Sequence, residues 1–248
     1  MPPELHYYSG CQNTFVVLID GGHFPEYDAR FISYLCQKVD GLLLIRPSKV
    51  ADAKMIYFNK DGSRASMCGN GLRCVAHLAQ KKLFPEKSML TIETDVGVLQ
   101  ASIQGNIVEV EMGQITNHKF LSINGQKVCF LNTGVPHAVI QVDTIESVDV
   151  ATLGKEIRFH PAFQPEGTNV TFASLLNNGS ADLSTRTYER GVEAETLACG
   201  TGAVAAALVL WDQFPKKQAL QVLCASGELL TVRKEGSSLF LKGAVSPL

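Results

Sequence analysis

The sequence has no long apolar run, no block of like charges and no linker rich in proline, glycine or serine. Its longest apolar run, Ala203 to Trp211, is far shorter than the roughly 20 residues that a membrane-spanning helix needs. Lysine and arginine number 22 against 24 aspartates and glutamates, which argues against broad attraction to nucleic acid or anionic lipid. Residues 1–14 lack a basic start followed by an apolar stretch, so we expect no secretion signal. These absences favour a small molecule as the partner.

Cysteine is present, but neither as Cys-x-x-Cys pairs nor in an even number. The seven cysteines are spread through 248 residues, which is typical of a reducing compartment rather than of a disulfide framework. We therefore expect thiols and a cytoplasmic protein. With 46% hydrophobic and 19% charged residues, the chain has the composition of a globular protein, and its length suits one large domain or two smaller ones.

Apolar periodicity predicts an α/β chain in which the order of elements occurs twice. Helical spacing indicates helices near 29–37, 72–79 and 203–210. Continuous or alternating apolar residues bounded by turn residues predict mostly antiparallel strands, at 15–19, 42–45, 55–59, 90–94, 107–112, 128–131, 138–142 and 170–175.

Fixed offsets along the chain indicate an internal repeat. Cys68 and Cys199 lie 131 residues apart, and two pairs of glycines lie 130 residues apart, Gly97 with Gly227 and Gly113 with Gly243. We predict two similar α/β halves, 1–115 with Cys68 and 116–248 with Cys199. We also expect them to pack closely with the active site in the cleft between them.

Each half places a cysteine immediately before a helix, in Cys-Gly-Asn-Gly and Cys-Gly-Thr-Gly. A helix N-terminus presents unpaired N–H groups and the positive end of the helix dipole, so it binds anions and favours thiolate over thiol. The missing Cβ atoms of the glycines would let a ligand carboxylate approach the backbone. Asn70 and Thr201 add side chains that can hydrogen-bond nearby. The glycines concerned are Gly69, Gly71, Gly200 and Gly202.

Two activated thiols suit proton transfer at a carbon next to a carboxylate. One thiol removes the proton and the other returns one to the opposite face, which inverts the stereocentre. The sequence shows neither a metal-ligand cluster nor a phosphate-binding loop, so we expect no cofactor and no metal.

Three other interpretations stay open on the residues alone. A buried cysteine before a small-residue helix is usually a packing residue, and Cys74 and the four remaining cysteines are assigned to the core. The two thiols could instead form a redox switch, or the protein could bind small carboxylates without catalysis. Individually, His137, Arg190 and the asparagines have ordinary structural explanations.

Two segments make the chain resemble the diaminopimelate epimerase family over nearly its whole length. These segments are FNKDGSRASMCGNGLRC, residues 58–74, and YERGVEAETLACGTGA, residues 188–203. The shorter motifs GCQNTF, VDGLLL, GVPH and TNV support them. The resemblance implies two α/β domains, each with a barrel-like sheet around a central helix, and cofactor-independent inversion of LL-2,6-diaminopimelate to the meso form, a step toward lysine and peptidoglycan.

The resemblance also implies roles for individual residues. The proton-transferring thiols fall on Cys68 and Cys199, with His137 and Glu189 as further catalytic residues. A homodimer is also implied, because dimers are common in the family, and an exposed strand edge would permit one. The implied substrate-binding residues are Asn13, Asn59, Gly69, Asn70, Asn169, Glu189, Arg190, Gly200 and Thr201.

Three departures from the family pattern bear on the substrate range. Val135 stands where the family usually has asparagine, the segment Gly10–Phe15 is bulkier and lacks a carboxylate, and one extra residue falls within 192–195. Loss of a polar contact relaxes discrimination. We therefore also expect that a shorter acidic amino acid such as glutamate could be accepted.

Overall fold

The computed structural model describes residues 4–21, 27–177 and 179–248. The chain divides into two compact units: unit 1 is Met1–Glu111 with Lys242–Leu248, and unit 2 is Met112–Leu241. The sequence-based division placed the C-terminal residues with the second half, and here the structure differs. Ser246 and Pro247 pair with Ser9 and Tyr8 of the first strand. Such a pairing joins the two ends of the chain, and local sequence patterns do not report it.

The helices and strands follow one another in the same order in both parts of the chain. The first ten elements are β1 Leu5–Gly10, β2 Asn13–Ile19, α1 Ala29–Leu35, β3 Gly41–Arg46, β4 Ala53–Asn59, β5 Arg64–Ala65, α2 Gly69–Leu83, β6 Met89–Thr94, β7 Gly97–Gln104 and β8 Ile107–Glu111. They are followed by β9 Thr116–Ile123, β10 Gln126–Asn132, β11 Pro136–Gln141, α3 Val150–Arg158, β12 Asn169–Leu175, β13 Leu183–Glu189, β14 Ala194–Thr196, α4 Gly200–Leu210, β15 Ala219–Cys224, β16 Leu229–Glu235, β17 Ser238–Ala244 and β18 Ser246–Pro247. Short 3-10 turns occupy Pro161–Phe163 and Trp211–Gln213.

Strand pairing confirms the internal repeat. In unit 1, β1–β2 is antiparallel, β2–β3 parallel, β3–β4 antiparallel and β4–β6 parallel. Unit 2 repeats this series with β10–β11, β11–β12, β12–β13 and β13–β15. The strands β4 and β13 lie 130 residues apart, and the first residues of α2 and α4 lie 131 apart. These are the offsets that the cysteines and glycines predict.

A central helix occupies the inside of each barrel-like sheet, as predicted. The helix α2 is buried from Gly69 to Ala79 and contacts β1, β2, β3, β4, β7 and β8. The helix α4 is buried from Gly200 to Ala207 and contacts strands β10 to β13, β15 and β16. Its residues beyond the first turn are all apolar, which is typical of a helix that is enclosed on every side.

Each sheet also packs a short helix on its outer face. In unit 1, Ile32 of α1 packs against Val16, Leu18, Leu42 and Leu44. In unit 2, α3 packs through Val150 and Ile157 onto residues that include Phe172 and Tyr188. Because both faces of these strands are covered, β2 and β3 are continuous apolar runs rather than alternating ones. Within the described ranges, no helix combines the length and the apolar character that crossing a membrane requires.

Candidate active site

Cys68 is the residue that immediately precedes α2, and its side chain caps the helix. Its backbone is extended, and its Sγ accepts a hydrogen bond from the amide of Gly71 at 3.3 Å. The thiol also lies 3.8 Å from Oδ1 of Asn13 at the start of β2, a distance at which S–H donates to the amide oxygen. Asp40 holds Asn13 in turn, since its Oδ2 accepts from Nδ2 of Asn13 at 3.2 Å. The helix start and the β1–β2 turn therefore meet at one sulfur.

The first turn of α2 also contains a buried positive charge. Asn70 is 1% exposed, and its Oδ1 accepts from Nη2 of Arg73 at 3.0 Å. Arg73 is fully buried, and its Nε and Nη1 have no hydrogen-bond partner among the described residues. Both side chains therefore lie inside unit 1, and the amide oxygen of Asn70 is already occupied.

Cys199 precedes α4 in the same way, but its surroundings differ. Its Sγ lies 3.4 Å from the hydroxyl of Thr201, and that hydroxyl lies 2.9 Å from Nε2 of His137. On the other side of the ring, Nδ1 of His137 lies 3.0 Å from the hydroxyl of Thr171. Thr171 in turn lies 3.1 Å from Thr187. A chain of polar groups therefore leads from the thiol into the interior of unit 2.

His137 is neutral at neutral pH in this setting. Burial, and to a smaller extent the charge of Arg190, lower the pKa of His137 from 6.5 to about 3. Sequence reasoning predicted a catalytic role for this residue. The structure places it behind Thr201, one hydroxyl away from the sulfur, where a neutral imidazole donates or accepts a hydrogen bond but does not supply a proton from a charged form.

The amide of Asn169 joins two segments that precede Cys199 in the chain. Its Nδ2 donates to the carbonyl of Pro136 at 2.9 Å, and its Oδ1 accepts from the backbone N–H of Arg190 at 2.8 Å. The guanidinium of Arg190 donates to the carbonyl of Glu166 at 3.0 Å. Burial comes first, and nearby Arg158 second, among the causes that lower the pKa of Arg190. The structure thus brings Asn169, Arg190 and the segment before His137 together.

Glu189 and Asn59 end equivalent strands of the two units. Glu189 accepts a hydrogen bond from the hydroxyl of Thr196 at 2.9 Å. Asn59 donates from Nδ2 to the hydroxyl of Ser63 at 3.0 Å, within its own turn. The described hydrogen bonds of Asn59 therefore do not join it to Cys68, and its role in binding stays a prediction.

Two of the four motif glycines also lie in close packing contact, which the sequence-based interpretation did not include. A Cβ on Gly71 would lie 2.9 Å from Cδ2 of Leu43, and a Cβ on Gly202 would lie 2.8 Å from Oγ1 of Thr171. The missing side chains at these positions let the central helices lie against the strands. Gly69 and Gly200 remain the glycines that we predict to bind a ligand carboxylate.

The other five cysteines are core residues, as predicted. Each is at most 4% exposed, whereas Cys68 and Cys199 are partly exposed, and none of the seven is half of a disulfide. Burial raises the pKa of Cys74 to about 12 and that of Cys36 to about 11. In the described part of the chain, no group of three histidine, cysteine or acidic side chains is arranged to hold a metal ion.

Sequence reasoning missed the polar residues behind the motifs. Thr171 and Thr187 lie on strands, where threonine is common, so their residue type does not indicate that they contact His137 or lie near the site. Arg73 was detectable in principle, because a charged residue within an apolar helical stretch is unusual.

Comparison with known proteins places the whole chain among similar sequences. A family model described as diaminopimelate epimerase matches residues 7–117 and 129–247. The chain is 40% identical to a diaminopimelate epimerase of Chlamydia muridarum, a match that covers 100% of this chain and 93% of that protein. It is 43% identical to a diaminopimelate epimerase of Aquifex aeolicus, with 95% and 92% covered.

Solved structures share the fold at low sequence identity. A phenazine biosynthesis protein of the PhzF family from Bacillus anthracis matches with a TM-score of 0.75 at 15% identity, covering 98% of this chain and 96% of that one. A hydroxyproline epimerase from Agrobacterium vitis, solved with bound trans-4-hydroxy-L-proline, matches with a TM-score of 0.73 at 16% identity, covering 99% and 90%. The architecture of two repeated α/β units is therefore shared by these proteins.

Proposed function

The chain belongs to the diaminopimelate epimerase family, and we propose that it inverts the α-carbon of LL-2,6-diaminopimelate to give the meso isomer, with Cys68 and Cys199 as the two proton-transferring groups. The protein is an isomerase. The observation that supports the two-thiol mechanism is the placement of a partly exposed cysteine before the central helix of each repeated unit, at equivalent positions.

The proton balance of the reaction follows from the two thiols. One cysteine, as thiolate, takes the proton from the α-carbon and becomes a thiol. The electron pair left on carbon is stabilised through the neighbouring carboxylate. The other cysteine, as thiol, gives its proton to the opposite face and becomes a thiolate. No atom is lost and no oxidation state changes, so the proposal requires neither a cofactor nor a metal.

Helix geometry supplies the electrostatics of this step. The free N–H groups at the start of each helix and the positive end of its dipole stabilise a thiolate and a substrate carboxylate. In unit 1, the amide of Gly71 already points at the sulfur of Cys68. The helix-start residues Gly69, Asn70, Gly200 and Thr201 are therefore assigned to the reacting end of the substrate.

The distal end of the substrate is assigned to polar groups outside the helix starts. A guanidinium binds a carboxylate through two parallel hydrogen bonds, so Arg190 is assigned to the distal carboxylate. Asn169 fixes the backbone at Arg190. Asn13, Asn59 and Glu189 complete the predicted set. We propose that the enzyme acts in the cytoplasm as a homodimer, without nucleic acid or membrane partners.

The test is incorporation of deuterium from D2O at the α-carbon, with reductant present, for LL-diaminopimelate, L-glutamate and L-proline. We expect exchange with diaminopimelate, and loss of epimerisation in Cys68→Ala and in Cys199→Ala. A Cys74→Ala variant is the matched control, because Cys74 lies six residues after Cys68 on the same helix but is buried. Absence of exchange with every substrate would refute the proposal.

The same experiment separates the other interpretations. A redox switch would lose its function when reductant is added, whereas an epimerase with two thiols needs reductant to stay active. A carboxylate-binding protein would bind diaminopimelate without exchanging its α-hydrogen. Exchange with glutamate as well would indicate the broader substrate range that Val135 favours.

A further inference from the structure

An ion pair that no motif predicts lies beside the loop that contains Arg190. Arg158 is the last residue of α3, and its Nε and Nη2 both donate to Oε1 of Glu193, at 3.2 and 2.9 Å. The side chains are 12% and 38% exposed. Glu193 also lies within 192–195, in the segment between Arg190 and the Cys-Gly-Thr-Gly motif.

Glu193 fixes the turn between β13 and β14 by several hydrogen bonds at once. Its carboxylate accepts from the N–H of Gly191 at 3.0 Å, and its own N–H donates to the carbonyl of Glu189 at 2.8 Å. Its carbonyl accepts from the hydroxyl of Tyr188 at 2.7 Å. Its backbone has a φ of +57°, a left-handed conformation that is unfavourable for a residue with a side chain. Glycine would adopt this conformation at lower cost, but it could not form the hydrogen bonds that the Glu193 carboxylate accepts from Gly191 and Arg158.

Arg158 connects this turn to a second segment. A Cβ on Gly167 would overlap the Arg158 guanidinium, so the guanidinium packs directly on the backbone there. The preceding carbonyl, that of Glu166, is the acceptor for Arg190 at 3.0 Å. These contacts hold three segments together around Arg190, namely the end of α3, residues 166–167 and the turn between β13 and β14.

The charges are arranged so that one of two neighbouring guanidinium groups is neutralised. Glu193 pairs with Arg158, whereas in the part of the chain that the structure describes the Arg190 guanidinium is in no salt bridge and donates to a carbonyl, with the carboxylates of Glu166 and Glu193 acting on it only through their charge. Without Glu193, Arg158 would be a second unpaired cation that competes for an anionic ligand. The pair therefore leaves a single guanidinium available.

We propose that Arg158 and Glu193 are positioning residues that hold the 190–193 turn, so that the guanidinium of Arg190 meets the distal carboxylate of the substrate in one fixed geometry. This inference rests on the proposed function. It assigns to the 190–193 turn a role in substrate affinity rather than in the proton transfers.

The first test is a comparison of KM and kcat for LL-diaminopimelate. Glu193→Gln is expected to raise KM about tenfold and to leave kcat within about twofold, because binding loses one well-placed charge-assisted contact. Glu193→Gly, which relieves the backbone conformation, is expected to raise KM by the same factor. The double variant Arg158→Met with Glu193→Gln is expected to have a KM no higher than that of either single variant, since the two substitutions remove the same interaction.

Glu195→Gln is the matched control. Glu195 accepts two hydrogen bonds of 2.7 Å from Arg186 in the same hairpin, so its loss removes an equivalent ion pair two residues away. It is expected to lower Tm while KM stays within about twofold of wild type. An equal KM in the Glu193→Gln and Glu195→Gln variants would overturn the proposal.

A second measurement does not depend on the substrate. Trypsin cleavage after Arg190, well below Tm, is expected to be several-fold faster in Glu193→Gln than in wild type or in Glu195→Gln. If wild type exchanges no α-hydrogen but Glu193→Gln is still cleaved faster, the proposed function fails, whereas the role of Glu193 in holding the turn is supported. If cleavage and KM are both unchanged while wild type is active, the positioning role fails alone.

Discussion

Nε2 of His137 lies 2.9 Å from the hydroxyl oxygen of Thr201, and the two residues are 0% and 5% exposed. A neutral imidazole donates at one ring nitrogen and accepts at the other. The hydroxyls of Thr201 and Thr171, on opposite sides of the ring, therefore have opposite hydrogen-bonding roles. The tautomer of His137 therefore sets whether the Thr201 hydroxyl donates its proton to the ring or toward the sulfur of Cys199.

The lowered pKa of His137 predicts a loss of stability in mild acid. The unfolded chain takes up the proton near pH 6.5, whereas the folded chain does so only near pH 3, so acid favours the unfolded state between these values. We compare how far the folding equilibrium constant falls between pH 6 and pH 4.5 in wild type and in His137→Gln. The fall in wild type is expected to exceed that in the variant by up to about tenfold per pH unit. Urea unfolding of both proteins across this range measures the two equilibrium constants. Parallel pH dependences would show that other groups, such as the carboxylates, cause the whole effect.

The partial exposure of two cysteines predicts the order in which the thiols react. Iodoacetamide at pH 7 is expected to label Cys68 and Cys199 at least tenfold faster than the other five, which are at most 4% exposed. Cys74 is expected to be the slowest, because burial raises its pKa to about 12. Peptide mapping by mass spectrometry after timed quenching gives the rates. Labelling of Cys74 at the rate of Cys68 would contradict the assignment of the two partly exposed thiols.

The β1–β2 turn contains strain that one substitution relieves. Gly10 pairs with Asn13, and the two residues between them, Cys11 and Gln12, have φ angles of +59° and +61°. Glycine adopts this conformation freely, so Gln12→Gly is expected to raise the free energy of unfolding by about 0.5–1 kcal/mol. Gln12→Ala keeps the same backbone cost and serves as the control. Urea denaturation compares the two, and equal stabilities would argue against strain at this turn.

The apolar side chain of Val135 predicts a test of substrate range. Val135 lies in the turn before His137 and is partly exposed, at a position where the resemblance described above implies asparagine. Val135→Asn is expected to reduce α-hydrogen exchange with L-glutamate relative to diaminopimelate by about tenfold, because a polar contact raises discrimination. Deuterium incorporation with both substrates gives the ratio. Equal reductions for the two substrates would mean that position 135 does not select between them.

The sequence was sufficient to predict the repeated core of the fold, because local signals and offsets agreed. The helices α2 and α4 begin where the Cys-Gly motifs place them, and the apolar runs at β2 and β3 form strands. The helix α3 was not predicted, since its sequence includes β-branched residues and Gly154, which are poor helix formers. Tertiary packing decides here: a Cβ on Gly154 would overlap Tyr188, so glycine permits the helix to lie against β13.

The motifs predicted which residues lie at the helix starts, but they did not predict the residues that lie behind them. Cys68, Cys199 and Thr201 lie at helix starts, as their spacing indicates. The contacts of Thr171 and Arg158 depend on which strands and helices become neighbours. That information is absent from the local pattern, because these residues lie 34 and 35 positions from their partners His137 and Glu193.

The matched strands β4 and β13 show which part of the molecule makes the two sulfurs different. The order of elements is the same in both units, whereas Asn59 and Glu189 end the matched strands, and Asn70 and Thr201 occupy the same turn of the matched helices. The chemical asymmetry between the two thiols therefore resides in the side chains and not in the backbone framework. A substitution beside one sulfur can change its environment while the framework around the other sulfur stays the same.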